Sequence, residues 1–288
     1  MKLFYYKFQN RFPDGRNFGD DLNPWLWKKL LPGVLDEDEN TLFVGIGTLL
    51  NENLPKAGRT VVFGTGVGYH KPPNIDDSWT IYCLRGLLSA QALGVSSELA
   101  ITDGAVLIRR LFSATSSKVH RFAYMPHVVQ AYRNGKAWNE VCEQLGFKYI
   151  DPRWSIEQVL SAISQTEILL AEAMHGAIVA DALRVPWIPI RTSSNILEFK
   201  WRDWCSSLGV EYFPREVVCL SDLPKGVSRR ASLHRWVKKT QAATQLSLIT
   251  KTSRPTLSNE THLERLTVQL EEKLQQFKDD VASGYFYP

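Results

Sequence analysis

The sequence lacks the features that would place it in a membrane or in an oxidising compartment. No apolar run reaches the roughly 18–20 residues of a spanning helix, and the first residues are too soon interrupted by charge for a signal peptide. Its cysteines form no CxxC pair and no zinc-ligand spacing with histidine, which predicts buried free thiols and neither a metal site nor a disulfide framework. These absences predict a cytoplasmic protein.

Several catalytic and binding motifs are absent as well. There is no Walker motif and no serine or cysteine in a nucleophile elbow. Gly64-x-Gly66-x-Gly68 has the wrong spacing for a dinucleotide fingerprint, and no long helix is predicted after it. The net charge is only +4, and no basic stripe is interleaved with aromatic residues as in nucleic-acid modules. A basic run over 229–239 is read as a solvated helix face or, alternatively, as an attraction to anionic lipid or polymer.

What the sequence does contain is the alternation typical of a parallel α/β fold. With 44% hydrophobic residues in 288, the chain can build a large core, and its length suggests about two domains. Short apolar strands, each ending in glycine or a polar residue and often followed by a helix, form two tandem α/β units. The strands are predicted at 2–6, 41–44, 60–63, 79–84, 121–125, 147–150, 167–171 and 186–190.

Composition also predicts the domain boundaries and the end of the chain. A serine-rich stretch at 113–120 is the best linker, so we expect an N-terminal domain at 1–115, a second domain at 116–226 and a helical tail at 227–288. The last helix of the tail carries an apolar stripe at three- and four-residue steps. We expect that stripe to dock on the chain's own body. Its members are Leu263, Leu266, Leu270, Leu274, Phe277 and Val281.

Residues 167–190 read as strand, turn, helix and strand, and ligands of such units bind beyond the carboxyl ends of the strands. His175 and Glu172 fall in the turn, and Gly176 opens the helix, where it lets a ligand approach the backbone. The helix dipole disfavours a protonated His175 unless an anion or a carboxylate such as Glu172 restores it. The alternative is a core histidine bonded to a backbone carbonyl.

Further polar residues follow predicted strands or precede a predicted helix. Arg85 ends a strand and suits carboxylate or phosphate, although a surface arginine fits equally well. Asp103 is either a general base or a turn former. The remaining candidate site residues are cations beyond the strand at 186–190 and polar residues of a loop before a helix that begins near Pro24. They are Arg191 and Lys200, and Asn17, Asp20 and Asp21.

Taken in order, these residues resemble the polysaccharide pyruvyltransferase family over about residues 1–210. The resemblance rests on Asn17-Phe-Gly-Asp20, the glycine strand exits at Gly45 and Gly64, Leu-Arg85-Gly, Thr-Asp103 and, above all, His175-Gly176 before an apolar helix. The stretch after Ala171 is most similar to the branch that adds pyruvate ketals to bacterial exopolysaccharides such as succinoglycan. Many members have arginine two positions before the histidine, where this chain has Ala173.

The resemblance implies two Rossmann-like domains in a glycosyltransferase-B-like arrangement, with the acceptor side in 1–115 and the donor side in 116–226. It also implies phosphoenolpyruvate as donor, a saccharide acceptor, release of phosphate and no cofactor. His175 would be the acid or phosphate contact and Asp103 the hydroxyl base. Arg85, Glu172, Gly176, Arg191 and Lys200 would bind the donor, and Asn17, Asp20 and Asp21 the acceptor.

Two rivals stay open at this point. A nucleotide-sugar glycosyltransferase shares the implied architecture, and a non-catalytic subunit of a polysaccharide assembly complex fits the absence of arginine at Ala173. A lipid-linked acceptor, peripheral attachment to the inner face of the cytoplasmic membrane and a homo-oligomer are each compatible with the sequence. We expect no nucleic-acid partner.

Overall fold

The computed structural model describes residues 1–7, 15–220 and 228–286. Its strands form two parallel sheets. The first sheet has the order β1-β2-β3-β4, and the second has the order β6-β5-β7-β8-β9. The strands are β1 Lys2–Phe4, β2 Thr41–Val44, β3 Arg59–Thr65, β4 Trp79–Leu84, β5 His120–Met125, β6 Lys148–Tyr149, β7 Thr166–Ala171, β8 Trp187–Arg191 and β9 Arg215–Glu216.

Helices follow most of these strands, as crossover connections between parallel strands require. They are α1 Phe18–Leu30, α2 Leu87–Leu93, α3 Ile108–Leu111, α4 Val128–Leu145, α5 Ile156–Ser164, α6 Met174–Ala182, α7 Glu198–Leu208, α8 Arg229–Thr252 and α9 Glu260–Ala282. The α/β class with parallel sheets is therefore confirmed. In the described part of the chain, no helix combines the length and the apolar character needed to cross a membrane.

One hydrophobic cluster runs from the first sheet to the second. It contains Phe43 and Phe63 of the first sheet, Met125 and Leu169 of the second, and the buried faces of the helices between them. A backbone hydrogen bond also joins the two halves of the chain: the Phe18 amide donates to the carbonyl of Pro152 at 2.8 Å. The two halves of the chain thus share a core, and side chains from both can meet at its rim.

The C-terminal helices return to different sheets. α8 packs its second half on α4, whereas α9 packs on the first sheet, where the Phe277 ring lies 5.3 Å from both the Phe43 and the Tyr82 ring centroids. The predicted stripe is buried through Phe277, and Val281 is partly buried. Docking on the chain's own body is confirmed. The predicted boundary at 226 lies outside the described residues, as does part of the loop before α1.

One helix start differs from the sequence-based prediction. α1 begins at Phe18, so Pro24 lies inside the helix and not in its first turn. Proline cannot donate to the carbonyl four residues earlier, and the Asn23 side-chain amide donates to that Asp20 carbonyl instead, at 3.2 Å. Asn23 also binds the backbone of Ile46 in both directions, so the same side chain fixes the exit of β2.

Candidate active site

A cavity of about 60 Å³ opens where the carboxyl ends of β5 and β7 meet the start of α1. Such strand ends are the usual ligand sites of open parallel sheets. The cavity has room for a small anionic group, and the N-terminus of α6 forms part of its wall. Its lining residues are Asn17, Phe18, Gly19, Met125, His127, Val128, Ala173, Met174, His175 and Lys200.

His175 lies in the first turn of α6, with its side chain 14% exposed. Gly19 of α1 faces the imidazole so closely that a Cβ at this position would lie 2.3 Å from Nδ1. On the other edge of the ring, Nε2 lies 3.8 Å from Oδ2 of Asp103. The imidazole therefore stands between a cavity residue on one side and a carboxyl group on the other.

Asp103 is fully buried and begins the 3-10 turn Gly104–Leu107, in which its Oδ1 accepts a hydrogen bond from the Ala105 amide at 2.9 Å. Within the described ranges, neither Asp103 Oδ2 nor His175 Nε2 has a hydrogen-bond partner. Burial raises the pKa of Asp103 to about 7. Burial, with the positive charges of Lys200 and Arg85, lowers the pKa of His175 to about 3. At neutral pH the imidazole is uncharged, so the contact is not an ion pair.

The polar residues at the start of α1 are held together. Asn17 donates from its side chain to Asp20 Oδ2 at 2.6 Å and from its backbone to Asp21 Oδ2 at 3.3 Å. Burial raises the pKa of Asp20 to about 7, against the hydrogen bond from Asn17 and the charge of Lys200, and burial also raises that of Asp21. Asn17 lines the cavity directly, with Asp20 bound behind it.

Lys200 reaches the same cavity from α7, 25 residues after His175 in sequence. Its ammonium donates to the Tyr69 hydroxyl at 2.9 Å and lies 5.3 Å from the centre of the Tyr69 ring. The charge of Lys200 lowers the pKa values of both His175 and Asp20. Of the predicted donor-binding cations, Lys200 is the one that lines the cavity together with His175.

Arg85 occupies a different environment from the one that the sequence suggested. Its side chain has no exposed surface and donates from Nε to Asp203 Oδ2 at 2.9 Å. The two other guanidinium nitrogens donate to the Gly47 and Val67 carbonyls and to the Thr48 hydroxyl. Because a ligand has no surface to touch, the geometry gives a donor contact at Arg85 no support. The residue joins α7 to the strand exits of the first sheet.

Glu172 is buried and does not reach His175. It accepts hydrogen bonds from the His127 amide at 2.9 Å and from the Thr192 amide and hydroxyl. It thereby joins the carboxyl ends of β5, β7 and β8, which is a structural role. The carboxyl group next to His175 is that of Asp103. The expectation that Glu172 would be the local partner of His175 is therefore wrong.

The two remaining predicted donor residues also have structural surroundings. Arg191 pairs with Glu198 and Glu216, away from the cavity lining. A Cβ on Gly176 would lie 2.6 Å from Met125 Sδ, so glycine lets α6 pack closely on the Met125 side chain at the end of β5.

His127 is a cavity residue that the sequence prediction missed. It follows β5 after Pro126 and precedes α4, whose Val129 amide donates to its Nδ1 at 3.4 Å. A histidine two residues after the predicted strand at 121–125 was the available signal. No three His, Cys, Asp or Glu side chains of the described residues group together as a metal site would require.

Comparison with known proteins identifies the protein family to which this cavity belongs. The family model described as polysaccharide pyruvyl transferase matches residues 4–194, and every cavity residue except Lys200 lies in that span. The chain belongs to the polysaccharide pyruvyl transferase family, and the enzyme is a polysaccharide pyruvyltransferase.

A curated relative is similar over most of both chains. The chain is 44% identical over 221 residues to the succinoglycan biosynthesis protein ExoV of Rhizobium meliloti (strain 1021), a match that spans 75% of this chain and 68% of that protein. The family resemblance predicted from the ordered motifs is confirmed.

Proposed function

We propose that the enzyme transfers the pyruvyl group of phosphoenolpyruvate to a sugar of a bacterial exopolysaccharide or of its lipid-linked precursor. The product is a pyruvate ketal, and phosphate is released. The observation that carries the proposal is the cavity in which His175, Lys200 and the start of α6 converge. Family membership supports pyruvyl transfer, and the name of the succinoglycan relative supports an exopolysaccharide acceptor. The reaction is proposed to use no cofactor and to take place in the cytoplasm.

The donor is a small polyanion, and two features of the cavity attract negative charge. The first-turn amides of α6, at Met174, His175 and Gly176, have no acceptor within the helix and carry its partial positive charge. Lys200 adds a full charge from α7. Since Ala173 supplies no cation, we assign the binding of the anionic donor to Lys200. Its ammonium would then donate to an oxygen of the donor in place of the Tyr69 hydroxyl.

The reaction needs proton transfers that balance. Two sugar hydroxyl oxygens bond to C2 of phosphoenolpyruvate, and the bond from C2 to the phosphate oxygen breaks. One hydroxyl proton ends on the former methylene carbon, and the other leaves with phosphate. A group that accepts and returns a proton next to the donor can serve both steps.

We assign that proton transfer to His175 and the orientation of its ring to Asp103. An uncharged imidazole can accept a hydroxyl proton, and a bound anionic donor raises its pKa so that it can hold one. Asp103 is fully buried and cannot contact a sugar directly, so we replace its expected role as hydroxyl base. When ionised, it would accept Nε2–H and leave Nδ1 facing the cavity.

The acceptor is proposed to bind on the α1 side of the cavity, where Asn17 is exposed to it and Asp20 and Asp21 fix Asn17 in place. The sheet β1-β2-β3-β4 would then be the acceptor side and the sheet β6-β5-β7-β8-β9 the donor side. Both are proposed to be Rossmann-like domains in a glycosyltransferase-B-like arrangement.

The test is to incubate the protein with phosphoenolpyruvate and candidate oligosaccharides, and to measure phosphate release and the mass of an added ketal. His175→Ala should lower turnover by about 10²- to 10⁴-fold, the usual worth of a proton-transfer group. His120→Ala is the matched control, because His120 lies at the amino end of β5, opposite the cavity. Full activity of His175→Ala would refute the assignment.

The donor site is tested separately through the KM for phosphoenolpyruvate. Lys200→Met should raise it about tenfold or more, the effect of losing one charge-assisted contact. Arg191→Met is the control and should raise it much less, since Arg191 is occupied by Glu198 and Glu216. Release of a nucleoside diphosphate from a sugar nucleotide would indicate a glycosyltransferase. Saccharide binding with no turnover of any donor would indicate a non-catalytic subunit.

A further inference from the structure

The first three turns of α8 expose a cluster of large apolar side chains. Leu233, Trp236 and Val237 are 60%, 61% and 47% exposed, and their spacing of three and four residues puts them on one face of the helix. The buried residues of α8 all lie in its second half, where Ala242, Ala243, Leu246 and Ile249 join the cluster on α4. The helix is thus anchored at one end and presents apolar surface at the other.

The same segment carries a concentrated positive charge. No Asp or Glu occurs from 223 to 259, a stretch with eight Lys and Arg residues, whereas the net charge of the whole chain is only +4. Arg229 and Arg230 lie one turn before Leu233, and Lys238 follows Val237. Lys239 is paired with Glu140 of α4 at 2.7 Å, near the point where α8 begins to pack on the protein body.

An anionic lipid surface matches this combination better than other partners do. Tryptophan and leucine insert at the boundary between headgroups and acyl chains, while flanking cations attract anionic lipid. A nucleic acid would leave Leu233 and Val237 without a complementary surface. A second copy of the same face would bring like charges together.

We propose that the first half of α8, with Leu233, Trp236 and Val237 as the apolar contacts and Arg229, Arg230 and Lys238 as the charged rim, binds the surface of anionic membranes. This inference does not depend on the identity of the donor. It would bring the active site to a membrane on which a lipid-linked acceptor is displayed.

The test is co-sedimentation of the full-length protein with vesicles of phosphatidylcholine alone or mixed with phosphatidylglycerol. We expect binding to the anionic vesicles and its loss at high salt, where screening removes the electrostatic attraction. Trp236 fluorescence should be quenched by brominated lipid, because this indole is mostly exposed in the free protein. Leu233→Ala with Trp236→Ala should abolish the binding that remains at moderate salt.

Charge reversal provides the matched comparison. Arg229→Glu with Arg230→Glu should weaken binding at least about 25-fold, at roughly fivefold for each cation removed. Lys56→Glu with Lys71→Glu makes the same charge change at exposed residues of the first half of the chain and should have little effect. The proposal would be overturned if both pairs of substitutions weakened binding equally, or if the protein did not bind anionic vesicles. It would also be overturned if the protein bound RNA or associated with itself in place of binding lipid. Unchanged thermal unfolding of each variant shows that the fold is intact.

Discussion

Asp103 combines complete burial with a carboxyl oxygen that has no hydrogen-bond donor in the described structure. Asparagine has nearly the same shape, keeps an oxygen for the Ala105 amide and cannot ionise. Asp103→Asn therefore removes the buried charge and leaves the turn intact. We expect it to stabilise the fold above neutral pH and to lower activity.

The size of the change in the free energy of unfolding follows from the pKa of Asp103, which rises from 3.8 to about 7 on burial. A raised pKa means that the folded state favours the protonated carboxyl. Its contribution is fully present below pH 3.8 and is lost as pH rises through about 7. At about 1.4 kcal/mol per pH unit, the loss reaches at most about 4 kcal/mol at pH 8. The variant does not undergo this loss, so the two proteins should differ little near pH 4 and most at pH 8.

The assay is urea unfolding of both proteins at pH 4 and pH 8, together with phosphate release at pH 8. Activity should fall about 100-fold or more, because an asparagine amide cannot orient and stabilise the imidazole as a carboxylate does. A wild-type kcat/KM that rises with pH through about 7 would be consistent with an ionised Asp103.

Asp203→Asn is the matched control, because it also alters a fully buried aspartate. Asp203 accepts hydrogen bonds from Arg85 Nε and from the Ser89 amide and hydroxyl. Breaking a buried ion pair on one side costs about 3–5 kcal/mol, so this variant should be destabilised at pH 8. The reasoning would be refuted if Asp103→Asn were destabilised at pH 8 like Asp203→Asn, or if it kept full activity.

Two further substitutions test the cavity wall and the shared core. Gly19→Ala should lower kcat about 10- to 100-fold, because its Cβ would displace the His175 ring. An unchanged kcat would contradict the close approach. Phe277→Ala should lower the free energy of unfolding by about 3–5 kcal/mol in urea titration, and Phe277→Leu by clearly less, because the ring is buried against Phe43. Equal effects of the two Phe277 variants would count against a specific packing role.

Much of the fold was predictable because its signals are local. The strands at 41–44 and 79–84 were placed to the residue. The α9 stripe was predictable because its apolar residues repeat at helical spacing. In each case one segment contains the whole pattern.

The errors arise where a side-chain contact that the local pattern does not show decides the structure. Pro24 is tolerated inside α1 because Asn23 supplies the missing donor, a local compensation that the pattern of helix-start residues does not reveal. Arg85 was expected at a ligand, and its partner Asp203 is 118 residues further along the chain. A single sequence gives the residue types at strand ends but not which of them face one another.

The position of the cavity explains why an unfavourable carboxyl group can persist beside it. His175 belongs to a helix of the second sheet, whereas Gly19 and Asp103 come from segments of the first, and the hydrophobic cluster that joins the sheets lies behind them. Packing on both sides holds Asp103 near His175 Nε2 although the pair makes no hydrogen bond in the described structure. A site that stability alone selected would replace that carboxyl group. Its presence where two sheets meet, behind a histidine that lines the cavity, supports the proposed role in proton transfer.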